Sequence, residues 1–546
     1  MQSKYLLTAA VITFSCSGPD QAKEEKMPNI LWITCEDMSP HLGCYGDERV
    51  RTPNLDNLAN ESIRFTNAYS VSGVCAPSRA ALITGMYPTS FGAMHMRTVS
   101  RTASIDKVTD PEALAIPVYE AVPPAGVKCF PEYLREKGYY CSNNKKTDYQ
   151  FHPPISAWDE SSENAHWRNR PEEDMPFFSV FNITTTHESQ IWARAGDSLL
   201  YDPGEMTVPP YYPDTEVVRK DLARMYTNIS LMDQQAGELI RQLKEDGLYE
   251  NTIIFFYSDH GDGTPRAKRW LYDSGLKVPL LVRFPGGEGA GTISDRMVSF
   301  VDFAPTILSL TGIPIPAYME GFAFLGEQNA SPRKYVYAAK DRMDPALDRA
   351  RAVRDKRFKY IRNYRPEKPF VQFIPYRDQM PLMQELLKFH EEGRLDSVQS
   401  LWFRKNKPAE ELYDLKNDPY EINNLAGDAR YQGELERLRK AHEEWMEQYG
   451  DLGDLPEPEL VKLLWPPDGK QPLTEPAEYR IVNDSLYLSC ETEGASIVYQ
   501  TPSDTLDGKS HWKLYTAPVA MKEKPFAARS CRIGYQPGEF VQILED

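Results

Sequence analysis

Two apolar runs that end in charged residues stand out in the hydrophobic pattern of the chain. NILWITCED closes on Glu36 and Asp37, and NTIIFFYSDHGD reaches Asp259 and His260 where its apolar stretch stops. Continuous apolar runs rich in β-branched and aromatic residues are typical of strands buried on both faces of a parallel sheet. The pattern therefore predicts two buried strands, each followed at once by polar side chains.

A long segment between these runs has the period of an amphipathic helix. In residues 221–243, apolar side chains recur at a spacing of three and four residues, which is typical of a helix with one buried face. Strands that alternate with such helices predict a doubly wound α/β domain. Because ligands bind beyond the carboxyl ends of the strands in that architecture, we expect both polar clusters at one edge of the sheet. The apolar positions are Leu222, Met225, Tyr226, Ile229, Met232, Ala236, Leu239, Ile240 and Leu243.

The C-terminal part of the chain has shorter and more polar elements. Residues 28–365 are predicted as the main α/β domain, and residues 366–465, which are rich in proline and charge, as a subdomain packed on it. Residues 466–546 begin with a proline-rich linker. Short alternating strands with Gly and Pro turns follow, which predicts a small β-sandwich-like module at the C-terminus.

The N-terminus is typical of an export signal. Residues 1–16, MQSKYLLTAAVITFSC, combine a lysine with an apolar stretch too short to span a membrane as a mature helix. Cys16 is a candidate for lipid attachment, so we expect either a bacterial lipoprotein or an ordinary secreted protein, with residues 17–27 as a flexible tether. The expected location is the periplasm or the outer-membrane surface of a bacterium, with membrane contact only through this anchor.

Composition and charge exclude some classes of partner. The 546 residues carry a formal net charge of −17, and 41% are hydrophobic and 26% charged, which is typical of a soluble globular protein. The acidic balance argues against nucleic-acid binding, and an anionic substrate would need a locally basic pocket. Eight cysteines are too few for a disulfide scaffold of this length, and a disulfide between Cys490 and Cys531 is left open.

The segment VCAPSRAALITG places a cysteine where a helix is expected to begin. Pro77 suits a first helical turn, and Gly85 marks the end of the helix. Cys75 then lies at a helix N-terminus, where backbone N–H groups favour an anion, and Arg79 follows one turn later. From the local pattern alone, an activated thiolate and a buried cysteine beside a surface arginine are equally compatible with the sequence.

The same segment resembles the signature of the formylglycine-dependent sulfatases, Cys-x-Pro-Ser-Arg followed by four residues and Thr-Gly. The resemblance extends over most of residues 28–425 and implies an alkaline-phosphatase-like mixed sheet with a C-terminal subdomain. It also implies that a formylglycine-generating enzyme oxidises Cys75 to an aldehyde, whose hydrate attacks sulfur beside a divalent cation, Ca²⁺ rather than Mg²⁺. The expected reaction is hydrolysis of sulfate esters or sulfamates.

The metal ligands of that family fall on the ends of the two apolar runs. The resemblance implies that Glu36, Asp37, Asp259 and His260 hold the cation together with the modified Cys75. Two positions depart from the family pattern, because Glu36 replaces an aspartate and His260 replaces an asparagine. A glutamate still offers a hard oxygen ligand, but imidazole is a poorer ligand for Ca²⁺. His260 is therefore also a candidate for contact with the sulfate or the nucleophile.

Two further segments imply lysines that bind the sulfate. GYYCSNNKKTDY resembles the second sulfatase signature and points to Lys146, but Asp148 stands where the family has a histidine. His95 is a speculative replacement for that histidine. PRAKRWLYDSGLKVPL implies that Lys268 holds a sulfate oxygen, with Arg269 as the alternative.

Other motifs suggest the leaving group and the substrate class. THESQIW places His187 where the family has a histidine that can protonate the departing oxygen or nitrogen. The segments THESQIW and WITCEDMSPHLGCYGD resemble those of a bacterial branch of the family close to the heparan N-sulfatases. Members of that branch act on sulfated glycans. Asp341 and Arg342 are candidates for sugar contacts, and the alternative for them is a solvated charged segment.

Two other functions stay open from the sequence. One is a phosphatase or phosphonate hydrolase of the same superfamily, and the other is an inactive protein that binds sulfated glycans. The departures at Glu36, Asp148 and His260 favour the inactive protein. The presence of Cys75 and of the other matching residues favours the sulfatase.

Overall fold

The computed structural model of the protein describes residues 27–100, 105–501, 504, 511–521 and 527–543. The predicted signal peptide, with Cys16, and the predicted tether up to residue 26 lie outside the described residues. No helix in the described ranges is both long enough and apolar enough to cross a membrane.

The main domain is built on one eight-stranded sheet with the order β4-β3-β5-β1-β6-β7-β2-β8. β1 lies between β5 and β6 and is parallel to both, and β7 runs antiparallel to its neighbours β6 and β2. The predicted doubly wound mixed sheet is confirmed. The strands are β1 Asn29–Cys35, β2 Ser62–Tyr69, β3 Tyr140–Asn144, β4 Glu160–Ser162, β5 Phe177–Ile183, β6 Thr252–Ser258, β7 Lys277–Arg283 and β8 Ile293–Ser299.

Helices cover both faces of this sheet, and side chains of β1 alternate between the two cores that result. Leu31 and Ile33 pack in a core with α1 and α7, whereas Ile30 and Trp32 pack on the opposite face with α2 and α9. The helices are α1 Pro53–Asn60, α2 Cys75–Thr84, α3 Pro88–Phe91, α4 Pro111–Ala115, α5 Pro131–Glu136, α6 Ser189–Ala193, α7 Glu216–Glu245, α8 Asp273–Leu276, α9 Phe303–Leu310, α10 Pro381–Glu391, α11 Gln432–Tyr449 and α12 Glu457–Leu464.

The helix predicted between the two buried strands is confirmed as α7. It begins after Thr215, whose hydroxyl accepts a hydrogen bond from the N–H of Val218 at 3.4 Å, and it ends at Glu245. An N-terminal threonine cap of this kind is a common helix start. In the chain, α7 lies between β5 and β6 and forms the crossover that places β6 parallel to β1. Both polar clusters therefore lie at the same edge of the sheet.

A second sheet of four antiparallel strands has the order β12-β11-β10-β9. Its strands are β9 Val336–Lys340, β10 Ala350–Arg354, β11 Phe358–Asn363 and β12 Glu410–Asp414, and α11 packs against them. The sheet contains strands on both sides of the predicted boundary at residue 365, so the two predicted domains share it.

The C-terminal module consists of two small antiparallel sheets, β13-β14-β17 and β16-β15-β18-β19. It contacts the main domain, since Ser496 donates a hydrogen bond to the carboxylate of Glu132 at 2.5 Å. Cys490 and Cys531 both carry free thiols, so the disulfide left open from the sequence is not formed. The strands are β13 Glu478–Val482, β14 Ser485–Ser489, β15 Ser496–Gln500, β16 Lys513–Leu514, β17 Val519–Ala520, β18 Ala527–Cys531 and β19 Val541–Gln542.

Candidate active site

Cys75 is the first residue of α2 and is buried. Val74 before it is extended and supplies no side-chain cap, so the first backbone N–H groups of α2 have no side-chain acceptor from that position. Gly85 ends the helix with a φ of 72°, as the sequence predicts. The ten residues of α2 are all buried, which fixes the thiol at a helix N-terminus that favours an anion.

A close backbone approach holds the segment before Cys75. A Cβ atom on Gly73 would lie 2.3 Å from the carbonyl oxygen of Trp270, so only glycine fits there. The N–H of Arg269 donates to the carbonyl of Gly73 at 2.6 Å. The loop that carries Lys268 is therefore docked two residues before the thiol.

Three carboxylates lie at the ends of the two central strands. Cys35 and Ser258 are paired across β1 and β6, so Glu36, Asp37 and Asp259 follow at one edge. The N–H of Asp37 donates to Oδ1 of Asp259 at 3.2 Å, and Sγ of Cys75 is 3.9 Å from Oδ1 of Asp37. The edge predicted from the hydrophobic pattern is where the acids and the thiol meet.

Three cationic side chains surround these acids. Arg79 donates from Nε to Asp259 at 3.1 Å and from Nη2 to Glu36 at 3.2 Å. Lys146 Nζ is 2.7 Å from Oε1 of Glu36, and Lys268 Nζ is 2.6 Å from Oδ2 of Asp37. These six residues together with Cys75 and His260 are called the nucleophile cluster below.

His260 contacts both the thiol and an acid. Its Nε2 is 3.4 Å from Sγ of Cys75 and 3.0 Å from Oδ1 of Asp37, and its Nδ1 donates to the carbonyl of Gly261 at 2.9 Å. Burial lowers the pKa of His260, but Asp259, Asp37 and Cys75 raise it to about 10. The imidazole is therefore a cation that faces the nucleophile position.

The cluster favours a negative charge on Cys75. Burial and the carboxylate of Asp259 raise the pKa of the thiol. Three cationic groups outweigh them and hold that pKa below its ordinary value: Lys146, Lys268 and His260. A group with a depressed pKa at a helix N-terminus is suited to act as a nucleophile or to be modified.

The donor set of the cluster fits a divalent cation. Two overlapping groups of side chains have their potential ligand atoms within 4.8 Å of one another. Carboxylate oxygens are the ligands that Ca²⁺ and Mg²⁺ prefer, and an imidazole nitrogen also binds transition metals. One group is Glu36, Asp37, Cys75 and His187, and the other is Asp37, Cys75, Asp259 and His260.

A cavity of about 510 Å³ opens onto this cluster. It is lined by Glu36, Cys75, Lys146, His187 and Lys268, so five of the residues predicted from the sequence converge on one space. Two lysine ammonium groups that face the same cavity are suited to bind the oxygens of a tetrahedral anion. The locally basic pocket expected from the net charge lies here.

His187 is half-buried at the side of this cavity. Its Nε2 is 3.4 Å from Nζ of Lys268, and its Nδ1 is 2.8 Å from the hydroxyl of Ser189. Burial and Lys268 lower the pKa of His187, but nearby acidic groups raise it above its ordinary value. A ring held in this way is suited to deliver a proton into the cavity.

The sequence reasoning missed two residues that support the cations. Glu188 binds Arg269 through both carboxylate oxygens at 2.7 and 2.9 Å, and its N–H donates to Asp37 at 2.6 Å. Asn182 at the end of β5 accepts a hydrogen bond from Arg79 at 2.6 Å. Asn182 could have been found, because it ends the strand next to β1.

Arg97 is a third missed residue, and it lines the cavity. It has a φ of 61°, its Nε donates to Asp344 at 2.9 Å, and its guanidinium lies 5.6 Å from the ring centroid of Tyr376. The candidate predicted from the same AMHMR segment is His95, two residues before Arg97. A residue in the left-handed region has no local periodicity that would reveal it.

The four predicted substrate-binding residues are not among the side chains that line the cavity. Arg269 pairs with Glu188, as above. The other three lie in a separate buried group, called the arginine cluster below. It consists of the buried residues His95, Asp341, Arg342, Arg351 and Glu457 together with Asp451, whose side chain is 5% exposed.

The arginine cluster is internally paired. Arg342 binds Glu457 at 2.6 and 2.7 Å, and Arg351 binds Asp341 at 2.9 and 3.0 Å and also Asp451. Nδ1 of His95 accepts a hydrogen bond from the backbone of Arg342 at 3.3 Å. Their roles in substrate binding stay predictions.

The sequence of this chain matches family models and known proteins that are named as sulfatases or sulphohydrolases. A sequence model described as "Sulfatase" matches residues 28–313, and one described as "N-sulphoglucosamine sulphohydrolase, C-terminal" matches residues 265–400. An ulvan-active sulfatase of Formosa agariphila is 45% identical over 96% of this chain and 92% of its own length. The human N-sulphoglucosamine sulphohydrolase is 27% identical over 76% of this chain and 89% of its own length.

A solved structure gives the same fold. It was determined with its substrate, D-glucosamine-2-N,6-O-disulfate, and is 20% identical to this chain. The match covers 78% of this chain and 98% of that chain with a TM-score of 0.54.

Proposed function

This chain belongs to the sulfatase family and is a sulfuric ester hydrolase that acts on carbohydrates, and we propose that its substrate is ulvan or a closely similar sulfated polysaccharide. The ulvan-active relative shares far more of its sequence with this chain than the human sulphohydrolase does. We therefore assign a sulfate ester, rather than a sulfamate, as the bond that is cleaved.

One observation carries the proposal. Cys75, Lys146 and Lys268 meet at a single cavity at the carboxyl edge of the sheet. Negative charge that develops on a sulfuryl group would be stabilised there by two ammonium groups and by the start of α2.

We propose that Cys75 is converted to formylglycine by a formylglycine-generating enzyme. When present, this group supplies a hydrated aldehyde, an oxygen nucleophile in place of the thiol. His260 and Asp37 contact Sγ of Cys75, so they are placed to hold a hydroxyl group at this position, and the carboxylate of Asp37 is placed to take its proton.

The residues that would hold a cation are Glu36, Asp37, Asp259 and, once its imidazole has released its proton, His260, with the modified side chain at position 75. Ca²⁺ is the first candidate and Mg²⁺ the second, because three of these groups offer carboxylate oxygens. The cation supplies Lewis-acid stabilisation of charge on oxygen. Arg79 keeps Glu36 and Asp259 oriented through its two hydrogen bonds.

The other side chains divide the remaining work. Lys146 and Lys268 bind the sulfate oxygens, and each is already held by an acid of the cluster. His187 protonates the leaving oxygen from the side of the cavity, with its ring held by the hydroxyl of Ser189. Arg97 at the cavity wall is the candidate for a contact with the sugar.

We propose that the enzyme is exported by the N-terminal signal and held at the cell surface through Cys16. The supporting feature is the apolar stretch from Tyr5 to Phe14, which lies just before this cysteine. Incorporation of a labelled fatty acid into the protein in its native host, and its loss in Cys16→Ser, tests this assignment.

The activity is tested by comparing three substrates with the matured protein. We expect release of sulfate from ulvan and hydrolysis of an aryl sulfate, with aryl phosphate cleaved much more slowly. Cys75→Ala is the control and should be inactive. Faster cleavage of aryl phosphate would instead support the phosphatase, and binding of ulvan without turnover would support an inactive binding protein.

The cation is tested without activity. Addition of Ca²⁺ to protein treated with a chelator should raise the melting temperature, because a ligand that binds only the folded state stabilises it. Asp259→Asn should remove most of that shift. An equal shift in wild-type protein and in this variant would contradict the assigned ligands.

A further inference from the structure

A second cavity, of about 480 Å³, lies apart from the nucleophile cluster. It shares no lining residue with the first cavity. Its wall includes Ser39 and Asp262, which come shortly after Asp37 and Asp259 in the chain, and Tyr420 of the loop after β12. The second cavity thus lies where the main domain meets the loop that follows the second sheet.

The second cavity carries unpaired positive charge. Each carboxylate in its wall is paired, since Asp262 contacts His41 at 3.0 Å, and Lys359 contacts Asp273 at 2.7 Å and Glu421 at 2.8 Å. The wall also contains six cations, which are His41, Arg49, Lys277, Arg354, Lys356 and Lys416. Four of them pair with acids: His41 and Arg49 with Asp47, Arg354 with Asp273, and Lys356 with Asp295. The unpaired charge is therefore that of Lys277 and Lys416.

Lys277 is the most informative of these cations. It is the first residue of β7 and is half-buried, and no described residue pairs with its ammonium group. Burial lowers the pKa of Lys277, and the carboxylate of Asp273 offsets this only in part. Lys416, which is exposed, also has no ion pair among the described residues. In a chain with a net charge of −17, two free lysines in one cavity point to an anionic ligand.

The same cavity has an aromatic wall. Tyr211 packs edge-on against Tyr212, with ring centroids 4.7 Å apart, and lies 6.1 Å from Tyr420. Tyr420 is 42% exposed, so its ring is accessible. The hydroxyl of Ser274 lines the cavity and has no hydrogen-bond partner among the described residues. An accessible tyrosine ring beside free polar groups suits a ring-shaped ligand with apolar faces and hydroxyl groups.

We propose that the second cavity binds an anionic sugar residue of the polysaccharide, away from the sulfate that is cleaved. Lys277 would bind the anionic group of the sugar, and Tyr420 would stack on its ring. This inference rests on the proposed function. Glu36 of the first cavity and Ser39 of the second are three residues apart, so their Cα atoms are separated by at most about 11 Å. The two cavities therefore approach each other along this segment, and the proposal is that one glycan chain contacts both.

Occupation of both cavities by one polymer makes the second contact intramolecular, so it raises the apparent affinity for polymer over that for a short substrate. The test compares the KM for ulvan with the KM for an aryl sulfate in Lys277→Ala and Tyr420→Ala. We expect the ratio of the two KM values to rise about fivefold to tenfold in each, as for loss of one charge-assisted or stacking contact.

Matched variants control for the change of residue. Lys440→Ala removes an exposed lysine of α11, which lies outside both cavities, and should leave the KM ratio unchanged. Tyr420→Phe keeps the aromatic ring, so its KM ratio should stay close to that of the wild type. If Lys277→Ala does not fold, Lys416→Ala tests the same cavity from an exposed position.

Direct binding separates this inference from the proposed function. Titration of a sulfated ulvan oligosaccharide into Cys75→Ala should be weakened by adding Lys277→Ala, whether or not the wild-type protein hydrolyses sulfate. Inorganic sulfate alone should bind much more weakly than the oligosaccharide. The proposal is overturned if inorganic sulfate binds as tightly as the oligosaccharide. It is also overturned if the KM ratio stays within twofold of wild type in both Lys277→Ala and Lys416→Ala.

Discussion

The nucleophile cluster and the arginine cluster both bury acids and cations, but they differ in what they leave open. In the first, three cationic side chains and His260 converge on the thiol beside a cavity of about 510 Å³. In the second, Arg351 is fully buried and binds two carboxylates, and Arg342 binds Glu457 with two hydrogen bonds. Charge that converges on a cavity indicates chemistry, whereas charge that is saturated by its partners indicates support.

The arginine cluster has a place in the fold that fits support. Arg342 follows β9 and binds Glu457 at the start of α12, and Arg351 on β10 binds Asp451 in the loop after α11. The cluster therefore connects the second sheet to the segments that precede the C-terminal module. Losing a partner here leaves a buried charge without compensation, which is costly.

The largest expected effect comes from the nucleophile position. Cys75→Ala should lower kcat for an aryl sulfate by at least about 10⁴-fold, as for removal of a catalytic nucleophile. The melting temperature should change little, because the alanine keeps the buried helix start. Hydrolysis rates and thermal unfolding measure the two effects, and activity within tenfold of wild type would refute this role.

A smaller loss is expected from one sulfate-binding lysine. Lys146→Ala should lower kcat by about 10²- to 10³-fold, as for removal of one preorganised group that stabilises developing charge. Lys145→Ala is the matched control, since Lys145 is exposed and pairs with Glu163 at the surface. The control should stay within about twofold of wild type, and equal losses in the two variants would contradict the assignment.

The arginine cluster should respond in stability instead. Arg351→Met leaves Asp341 and Asp451 without their shared partner, and we expect the free energy of unfolding to fall by about 3–5 kcal/mol. Arg362→Met on β11 removes a largely exposed pair with Glu410 and should cost less than about 1 kcal/mol.

Chemical denaturation measures both variants, and kcat at a temperature where each is folded separates stability from chemistry. A loss of kcat in Arg351→Met as large as that in Lys146→Ala, with unchanged stability, would show that the two clusters do not differ as described.

The smallest effect concerns a buried acid that forms no ion pair with any residue the structure describes. Asp221 on α7 accepts a hydrogen bond from the N–H of Leu382 at 2.7 Å, and burial raises its pKa from 3.8 to about 7. Its contribution to stability is fully present below pH 3.8 and is lost as the pH rises to about 7, because the unfolded state releases the proton first.

Between pH 5 and pH 8, the unfolding free energy of wild type should therefore fall by on the order of 2 kcal/mol more than that of Asp221→Asn. Glu391→Gln, which removes an exposed carboxylate from α10, is the control. Parallel pH profiles of wild type and Asp221→Asn would rule out this linkage.

Much of the main domain could be predicted from the sequence because its signals are local. The continuous apolar runs of β1 and β6 and the period of α7 each lie within one segment. The meeting of Glu36, Asp37 and Asp259 then followed from a general rule, since parallel strands end at the same edge.

Other features depend on contacts that no local pattern encodes. Arg97 has a φ of 61° and is held by Asp344, which is 247 residues away in the chain. Glu188 was overlooked beside His187, because its role comes from its contacts with Arg269 and Asp37. The predicted boundary at residue 365 was wrong for the second sheet, because the pairing of β11 with β12 joins segments about 50 residues apart and leaves no local signal.

The most direct test of the central claim is the mass of the tryptic peptide FTNAYSVSGVCAPSR, residues 65–79, from protein made in its native host. We predict an aldehyde in place of the thiol of Cys75, in a fraction that rises in proportion to the rate of sulfate release across preparations. An unmodified thiol in protein that hydrolyses aryl sulfate at full rate would contradict the account.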